Sequence, residues 1–117
     1  MTRSMIAALA LSPLLAAGAA RGEDAEAAAE GHAIALKACA ICHVVAADQA
    51  EPPQMKPPAP NFTEIARRPY VSEPFLRDFL MKPHGEARAL SAMPGFLIPG
   101  PQAEAVIAYL LSLKPTP

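Results

Sequence analysis

Apolar residues recur along this chain at the three- and four-residue spacing of helices. The stripe of one segment comprises Phe75, Leu76, Phe79 and Leu80. The stripe of a later segment comprises Val106, Ile107, Leu110 and Leu113. No segment alternates apolar and polar residues in the manner of a strand, and no internal repeat is visible. The pattern therefore predicts an all-α fold of three or four helices.

Capping residues and prolines set the expected limits of these helices. We expect helices at about 23–39, 61–67, 72–82 and 101–113. Asn61 is suited to cap the second helix, and Glu64 follows three residues later in capping-box register. The segments 49–61 and 85–100 contain prolines without helical periodicity, so they are expected to be proline-rich loops.

The first 20 residues have the pattern of a secretory signal peptide. Arg3 supplies a positive charge, residues 5–15 are mostly apolar, and Ala17-Gly18-Ala19-Ala20 offers small residues for cleavage. We expect cleavage after Ala20, which leaves residues 21–117 as one exported domain. The alternative is an uncleaved membrane anchor, which the proline and glycine within the run disfavour, because a span needs about 20 strongly apolar residues.

The charge of the exported domain is close to balanced. Removing Arg3 leaves nine of the 10 Lys and Arg residues against 11 Asp and Glu residues, a formal charge of −2. No basic cluster suited to nucleic acid or to an anionic membrane surface stands out. We therefore expect no nucleic-acid partner and no stable membrane insertion after cleavage.

The segment Cys39-Ala40-Ile41-Cys42-His43 carries the most specific chemistry in the chain. Two thiols three residues apart on a helical turn face the same way, and each can form a thioether with a haem vinyl group. His43 follows directly and is suited to bind the iron. A thioredoxin-like dithiol needs a βαβ setting, a zinc site needs two further ligands, and a structural disulfide leaves the histidine unexplained. The motif therefore predicts one covalently attached haem c.

With this motif, the chain resembles the class I cytochrome c family of small bacterial monohaem proteins over most of residues 21–117. In that family the first helix leads into the haem motif, and the last helix crosses the first. Gly31 matches the glycine that lets these two helices approach, and Tyr109 is expected to pack on the crossing. Ala35 departs from the family, because many members carry an aromatic residue there, so we expect looser packing of the two helices.

The resemblance also implies the iron ligands. Met93 is followed by Pro94 and matches the family's Met-Pro pattern for the sixth ligand. Pro60-Asn61-Phe62 resembles a Pro-Asn-Leu segment whose proline carbonyl accepts the second ring N–H of the axial histidine. The implied cofactor-binding residues are Cys39, Cys42, His43, Met93 and Pro60, with His43 and Met93 on the metal.

Other methionines and histidines compete for the sixth position. His84 is the main alternative to Met93, because a neutral imidazole binds iron well. Met81 is expected in the core, Met55 on the solvent side of the proline loop, and His32 at the surface.

The resemblance implies a periplasmic electron carrier, not an enzyme, that passes single electrons between redox protein partners. It is expected as a monomer or as a subunit of a redox complex. One alternative is a cytochrome subunit dedicated to a periplasmic dehydrogenase or oxidase, with the segment 49–60 as a candidate docking surface. The other alternative is a haem sensor or enzyme with an open iron position.

Overall fold

A computed structural model describes residues 16–82, Met93 and residues 98–117 of the chain. Its helices are α1 (Ala16–Ala38), α2 (Phe62–Arg67), α3 (Glu73–Met81) and α4 (Gly100–Ser112). The described residues contain no strand, and the expected all-α fold is confirmed. No helix within these ranges is both long and apolar enough to cross a membrane.

The helix limits agree with the expected ones except at the start of α1. This helix includes Ala16, the first described residue, and passes through Ala20, whereas the charged residues from Glu23 onward suggested a later start. Alanine has the highest helix propensity, which accounts for the longer helix. Cleavage after Ala20 stays a prediction, and most of the proposed signal peptide, residues 1–15, lies outside the described residues.

Side-chain caps begin the two middle helices. The Asn61 carboxamide oxygen accepts a 2.7 Å hydrogen bond from the Glu64 amide, as its position predicts. The Glu64 carboxylate contacts Arg68 at 3.3 Å, within the next turn. Ser72 caps α3 by accepting from the Phe75 amide, and α3 ends at Met81, before Pro83. These caps satisfy amide groups that the first turn of a helix leaves without intrahelical partners.

Helices α1 and α4, the first and last of the described helices, cross each other at close distance. A Cβ atom added at Gly31 would lie 1.9 Å from the Ala105 carbonyl oxygen and 2.9 Å from Tyr109 Cβ. Only glycine permits this approach. Ala35, one turn later, is 0 % exposed, so the looser packing expected at this small residue is not observed there.

The hydrophobic core joins all four helices and the loop after the haem motif. Its buried members include Ala35, Val45, Phe62, Leu76, Leu80, Val106, Ile107 and Leu110. Outside the core, Arg77 of α3 forms a two-point contact with Glu104 of α4 through its Nε and Nη2 atoms, at 2.8 and 2.9 Å. Helix α4 thus packs against the other three helices and positions the segment that contains His43.

Candidate functional site

The haem motif continues the last turn of α1. The Cys39 amide donates to the Ala35 carbonyl at 2.9 Å, and the amides of Cys42 and His43 both donate to the Cys39 carbonyl, at 3.2 and 3.0 Å. These bonds wind the five-residue motif into a compact turn. The side chains of Cys39, Cys42 and His43 are therefore carried by one hydrogen-bonded turn at the end of α1.

Both cysteines are free thiols in the structure. Cys39 is 6 % exposed and Cys42 is half-buried. Burial, with a smaller contribution from the neighbouring Cys42, raises the pKa of the Cys39 thiol to about 11. The described residues hold no cluster of three or more His, Cys, Asp or Glu side chains suited to a metal ion, as a zinc site would need. The two thiols of Cys39 and Cys42 fit thioether attachment of a haem.

His43 is buried, with 8 % of its surface exposed, and its ring is fixed by two contacts. Its Nδ1 atom lies 2.6 Å from the Pro60 carbonyl oxygen. Because a carbonyl oxygen only accepts, Nδ1 carries the proton, and Nε2 of the neutral ring keeps its lone pair. The Phe62 ring meets the imidazole edge to face, with a centroid distance of 5.4 Å. The ring therefore has the tautomer that a metal-binding histidine needs.

The Pro60 carbonyl is brought to His43 by a short pairing of the two segments. The Ala59 amide donates to the Cys42 carbonyl, and the Phe62 amide donates to the Val44 carbonyl, both at 2.9 Å. Donors on either side of Pro60 thus bind acceptors on either side of His43. Proline suits the central position, because it has no amide hydrogen that needs a partner there.

Gln49 is a positioning residue that sequence reasoning missed. Its Oε1 atom accepts from the Val45 amide at 2.8 Å, while Nε2 donates to the carbonyls of Glu51 at 2.8 Å and Ala40 at 3.3 Å. The side chain thereby joins both ends of the segment that contains Cys42 and His43. No sequence signal marks it, because its partners are backbone groups that only the folded loop brings within reach.

His32 is less exposed than the sequence suggested. Its side chain is 31 % exposed, and Nε2 lies 2.8 Å from the Asp48 carboxylate. The ring also meets Tyr109 edge to face at 5.2 Å. The hydrogen bond from His32 is the main reason that the pKa of Asp48 lies below its ordinary value. His32 therefore links α1 to the loop after the haem motif.

The candidates for the sixth ligand differ in their burial. Met93 is half-buried and packs against the hydrophobic core, as does Met81 of α3. Met55 is 41 % exposed, in keeping with its expected solvent-side position. His84 and Pro94 lie outside the described residues. The Met93 side chain thus lies beside the core, while its role as a ligand stays a prediction.

Comparison with known proteins agrees with this site. The family model for cytochrome c matches residues 28–114, which include the haem motif, Pro60 and Met93. The chain is 38 % identical over 104 residues to cytochrome c-552 of Bradyrhizobium diazoefficiens, covering 87 % of this chain and 91 % of that protein. No solved structure matches the chain significantly. With its Cys39-to-His43 motif and helical fold, the chain belongs to the cytochrome c family as a class I c-type cytochrome with covalently attached haem c.

Proposed function

We propose that this c-type cytochrome is a periplasmic electron carrier whose haem iron is held by His43 and Met93. The observation that carries the proposal is the hydrogen bond from His43 Nδ1 to the Pro60 carbonyl. It leaves Nε2 as the only ring nitrogen that can bind a metal, and it fixes the plane of the ring. A partner of this kind orients metal-bound histidines and raises their basicity.

Each site residue has a separate role in this proposal. Cys39 and Cys42 would hold the porphyrin by thioether bonds, and His43 and Met93 would each supply a ligand to its iron. The bound haem supplies one-electron exchange between the ferric and ferrous states. A thioether ligand favours the ferrous state more than a second imidazole does, so the His/Met pair raises the reduction potential.

The buried side chains around His43 support electron transfer rather than ligand binding. Phe62 and Val45 are 4 % and 1 % exposed, and Met93 packs against the core that contains them. Apolar walls exclude water and lower the local dielectric constant, which tunes the potential without any change of ligand. If His43 and Met93 both bind the iron, little would need to rearrange when an electron arrives or leaves.

The periplasmic location is supported by the amino-terminal sequence pattern. The run from residue 5 to 15, followed by small residues up to Ala20, has the character of a cleaved signal. Intact-mass measurement of the protein exported to a bacterial periplasm tests it: the expected product begins at Arg21 and retains haem under denaturing conditions. A product that keeps the first 15 residues would contradict cleavage.

The ligand assignment is tested by three single variants of the holoprotein: Met93→Ala, His84→Ala and Met55→Ala. We expect only Met93→Ala to lose the sulfur-to-iron absorption of the oxidised protein, to lower the reduction potential and to bind carbon monoxide rapidly when reduced. Met55→Ala is the matched control, because Met55 is exposed in the proline loop.

Two other outcomes of this experiment would contradict the assignment. If the sulfur-to-iron band survives in Met93→Ala, Met93 is not the ligand. If the unsubstituted protein binds carbon monoxide rapidly, the iron has an open position, as in a sensor or enzyme. Gel filtration of the native protein distinguishes a free carrier from a dedicated subunit. Co-elution with a larger enzyme would indicate the subunit.

A further inference from the structure

A groove of about 410 Å³ opens between the end of α1 and the loop that follows the haem motif. Its lining comprises Leu36, Ala40, Ile41, Asp48, Gln49, Ala50, Glu51, Pro52 and Gln54. Ala40 and Ile41 are the two residues between the haem-binding cysteines. One wall of the groove is therefore the backbone to which the haem is attached.

The far wall of the groove is held in place by hydrogen bonds to this backbone. Gln49 donates to the Ala40 and Glu51 carbonyls, and the Gln54 amide donates to the Ile41 carbonyl at 2.9 Å. The Met55 amide donates to the same Ile41 carbonyl at 3.2 Å. A surface fixed in this way loses little conformational entropy when a partner binds.

The groove is apolar where it meets the haem motif. Ile41 is 60 % exposed, an unusual degree for an isoleucine, and Leu36 and Pro52 also line the groove. Met55, bonded to the same carbonyl as Gln54, is also exposed at 41 %. Exposed apolar residues that are grouped in this way are typical of binding surfaces, whereas isolated ones are ordinary.

The charges that line the groove are both negative. Among the described residues, Asp48 and Glu51 are its only ionisable lining residues, and no basic side chain from this part of the chain lines the groove. Asp48 contacts His32, while Glu51 forms no ion pair with any other residue in the described part of the chain. The exposed Lys37 and Lys56 are sequence neighbours of Leu36 and Met55, but they do not line the groove.

We propose that this groove is a docking site for a redox protein that presents an apolar side chain flanked by Lys or Arg residues. The proposal rests on the electron-carrier function and specifies the surface and the chemistry of its partner. The carboxylates of Asp48 and Glu51 attract a basic partner toward the groove. The apolar side chains of Leu36, Ile41 and Pro52 supply contact area beside the attached haem. Such contacts are small and brief, as electron transfer between diffusing proteins requires.

Two small oxidants with opposite charges test this surface without knowledge of the natural partner. Tris(phenanthroline)cobalt(III) is cationic with apolar faces, whereas ferricyanide is anionic. The rate at which each oxidises the reduced holoprotein is measured for the unsubstituted protein, Glu51→Lys and Glu26→Lys. Glu26 is the matched control, because it is exposed on α1 and lies ten residues before Leu36, about 15 Å along the helix.

At about 0.1 M ionic strength, we expect Glu51→Lys to slow the cobalt reaction by about fivefold and Glu26→Lys to slow it by less than about 1.5-fold. Ferricyanide should react faster with Glu51→Lys and at an almost unchanged rate with Glu26→Lys. The reduction potential of each variant is measured as well, so that any change in driving force is removed from the rates.

The proposal is overturned if the two variants change both rates equally, because only the net charge would then matter. It is also overturned if sedimentation shows a dimer of the unsubstituted protein that Glu51→Lys dissociates, because a second copy would then occupy the groove. Failure of the unsubstituted protein to exchange electrons with either oxidant would instead contradict the electron-carrier function itself.

Discussion

The Tyr109 hydroxyl donates a 2.7 Å hydrogen bond to the Val45 carbonyl, 64 positions earlier in the chain. Tyr109 belongs to α4, and Val45 lies two residues after His43. Tyr109 is 8 % exposed, so this bond is formed away from bulk water. The last helix is thereby tied to the segment that contains the proposed iron ligand.

Replacing Tyr109 by Phe should lower the free energy of unfolding by about 1–2 kcal/mol, because the buried Val45 carbonyl loses its donor. Tyr70→Phe is the control, because Tyr70 is 56 % exposed and its hydroxyl accepts a hydrogen bond from the exposed Arg68 side chain. Urea unfolding of the three holoproteins measures both effects. Equal losses in the two variants would contradict a special role for the buried bond.

The same substitution should change the pH dependence of stability at the alkaline end. Burial, with a smaller contribution from the Asp48 charge, raises the pKa of Tyr109 above its ordinary value. The neutral phenol therefore contributes stability that is complete below about pH 10, the ordinary tyrosine value, and is lost as pH rises through the folded-state pKa. Above about pH 10 the unsubstituted protein should lose stability faster than Tyr109→Phe does.

Gly31→Ala should destabilise the protein by about 2–4 kcal/mol, because the added methyl group overlaps the Ala105 carbonyl and forces α1 and α4 apart. Gly22→Ala is the matched control on the same helix, since a Cβ there meets nothing within 4 Å. Because Gly22 is the second residue of the proposed exported protein, where the helix begins, that variant should change the free energy of unfolding little. Thermal unfolding of both variants provides the comparison, and similar midpoints for the two would contradict the close crossing.

The sequence predicted the features that local signals encode. Asn61 marked the start of α2 as a capping residue, and the resemblance to the cytochrome c family placed Gly31 and Tyr109 at the helix crossing. It did not predict the roles of Gln49 and His32, because their partners are reached only when the loop after His43 has folded back. A polar side chain that binds backbone groups across a loop leaves no periodic pattern.

Two substitutions of Gln49 separate its acceptor from its donors. Gln49→Ala removes the contacts to Val45, Ala40 and Glu51, and should cost about 1–3 kcal/mol in unfolding free energy. Gln49→Glu keeps an acceptor for the Val45 amide but places a carboxylate near two carbonyl oxygens. Hydrogen exchange of the Val45 amide should accelerate in the alanine variant and stay slower in the glutamate variant. Equal exchange in both would contradict the assigned contact.

The contact between His32 and Asp48 predicts an acid-dependent contribution to stability. The hydrogen bond from His32 lowers the pKa of Asp48, so the folded state favours the carboxylate. Its contribution is present above the ordinary aspartate pKa of about 4 and is lost as pH falls through the lower folded-state value. The stability difference between the unsubstituted protein and Asp48→Asn should therefore shrink as pH falls below about 4, through the lower folded-state pKa of Asp48.

Glu51→Gln is the control for this pH series, because Glu51 forms no ion pair with another described residue. Its stability difference from the unsubstituted protein should change less over the same interval. Asp48→Asn should also lower the pKa of Tyr109, which the Asp48 charge helps to raise. Ultraviolet titration of the phenol measures that change, and an unaltered phenol titration would contradict the coupling.

The imidazole of His43 is restrained on the protein side by the Pro60 carbonyl and by the edge-to-face contact with Phe62. Phe62 is the first residue of α2, and the adjacent Asn61 cap anchors that helix to the same segment as Pro60. As the proposed iron ligand, an imidazole held in this way would have little freedom to shift when the iron changes oxidation state. Inner-sphere reorganisation energy should then be small, so that distance to the partner and driving force set the speed of electron exchange.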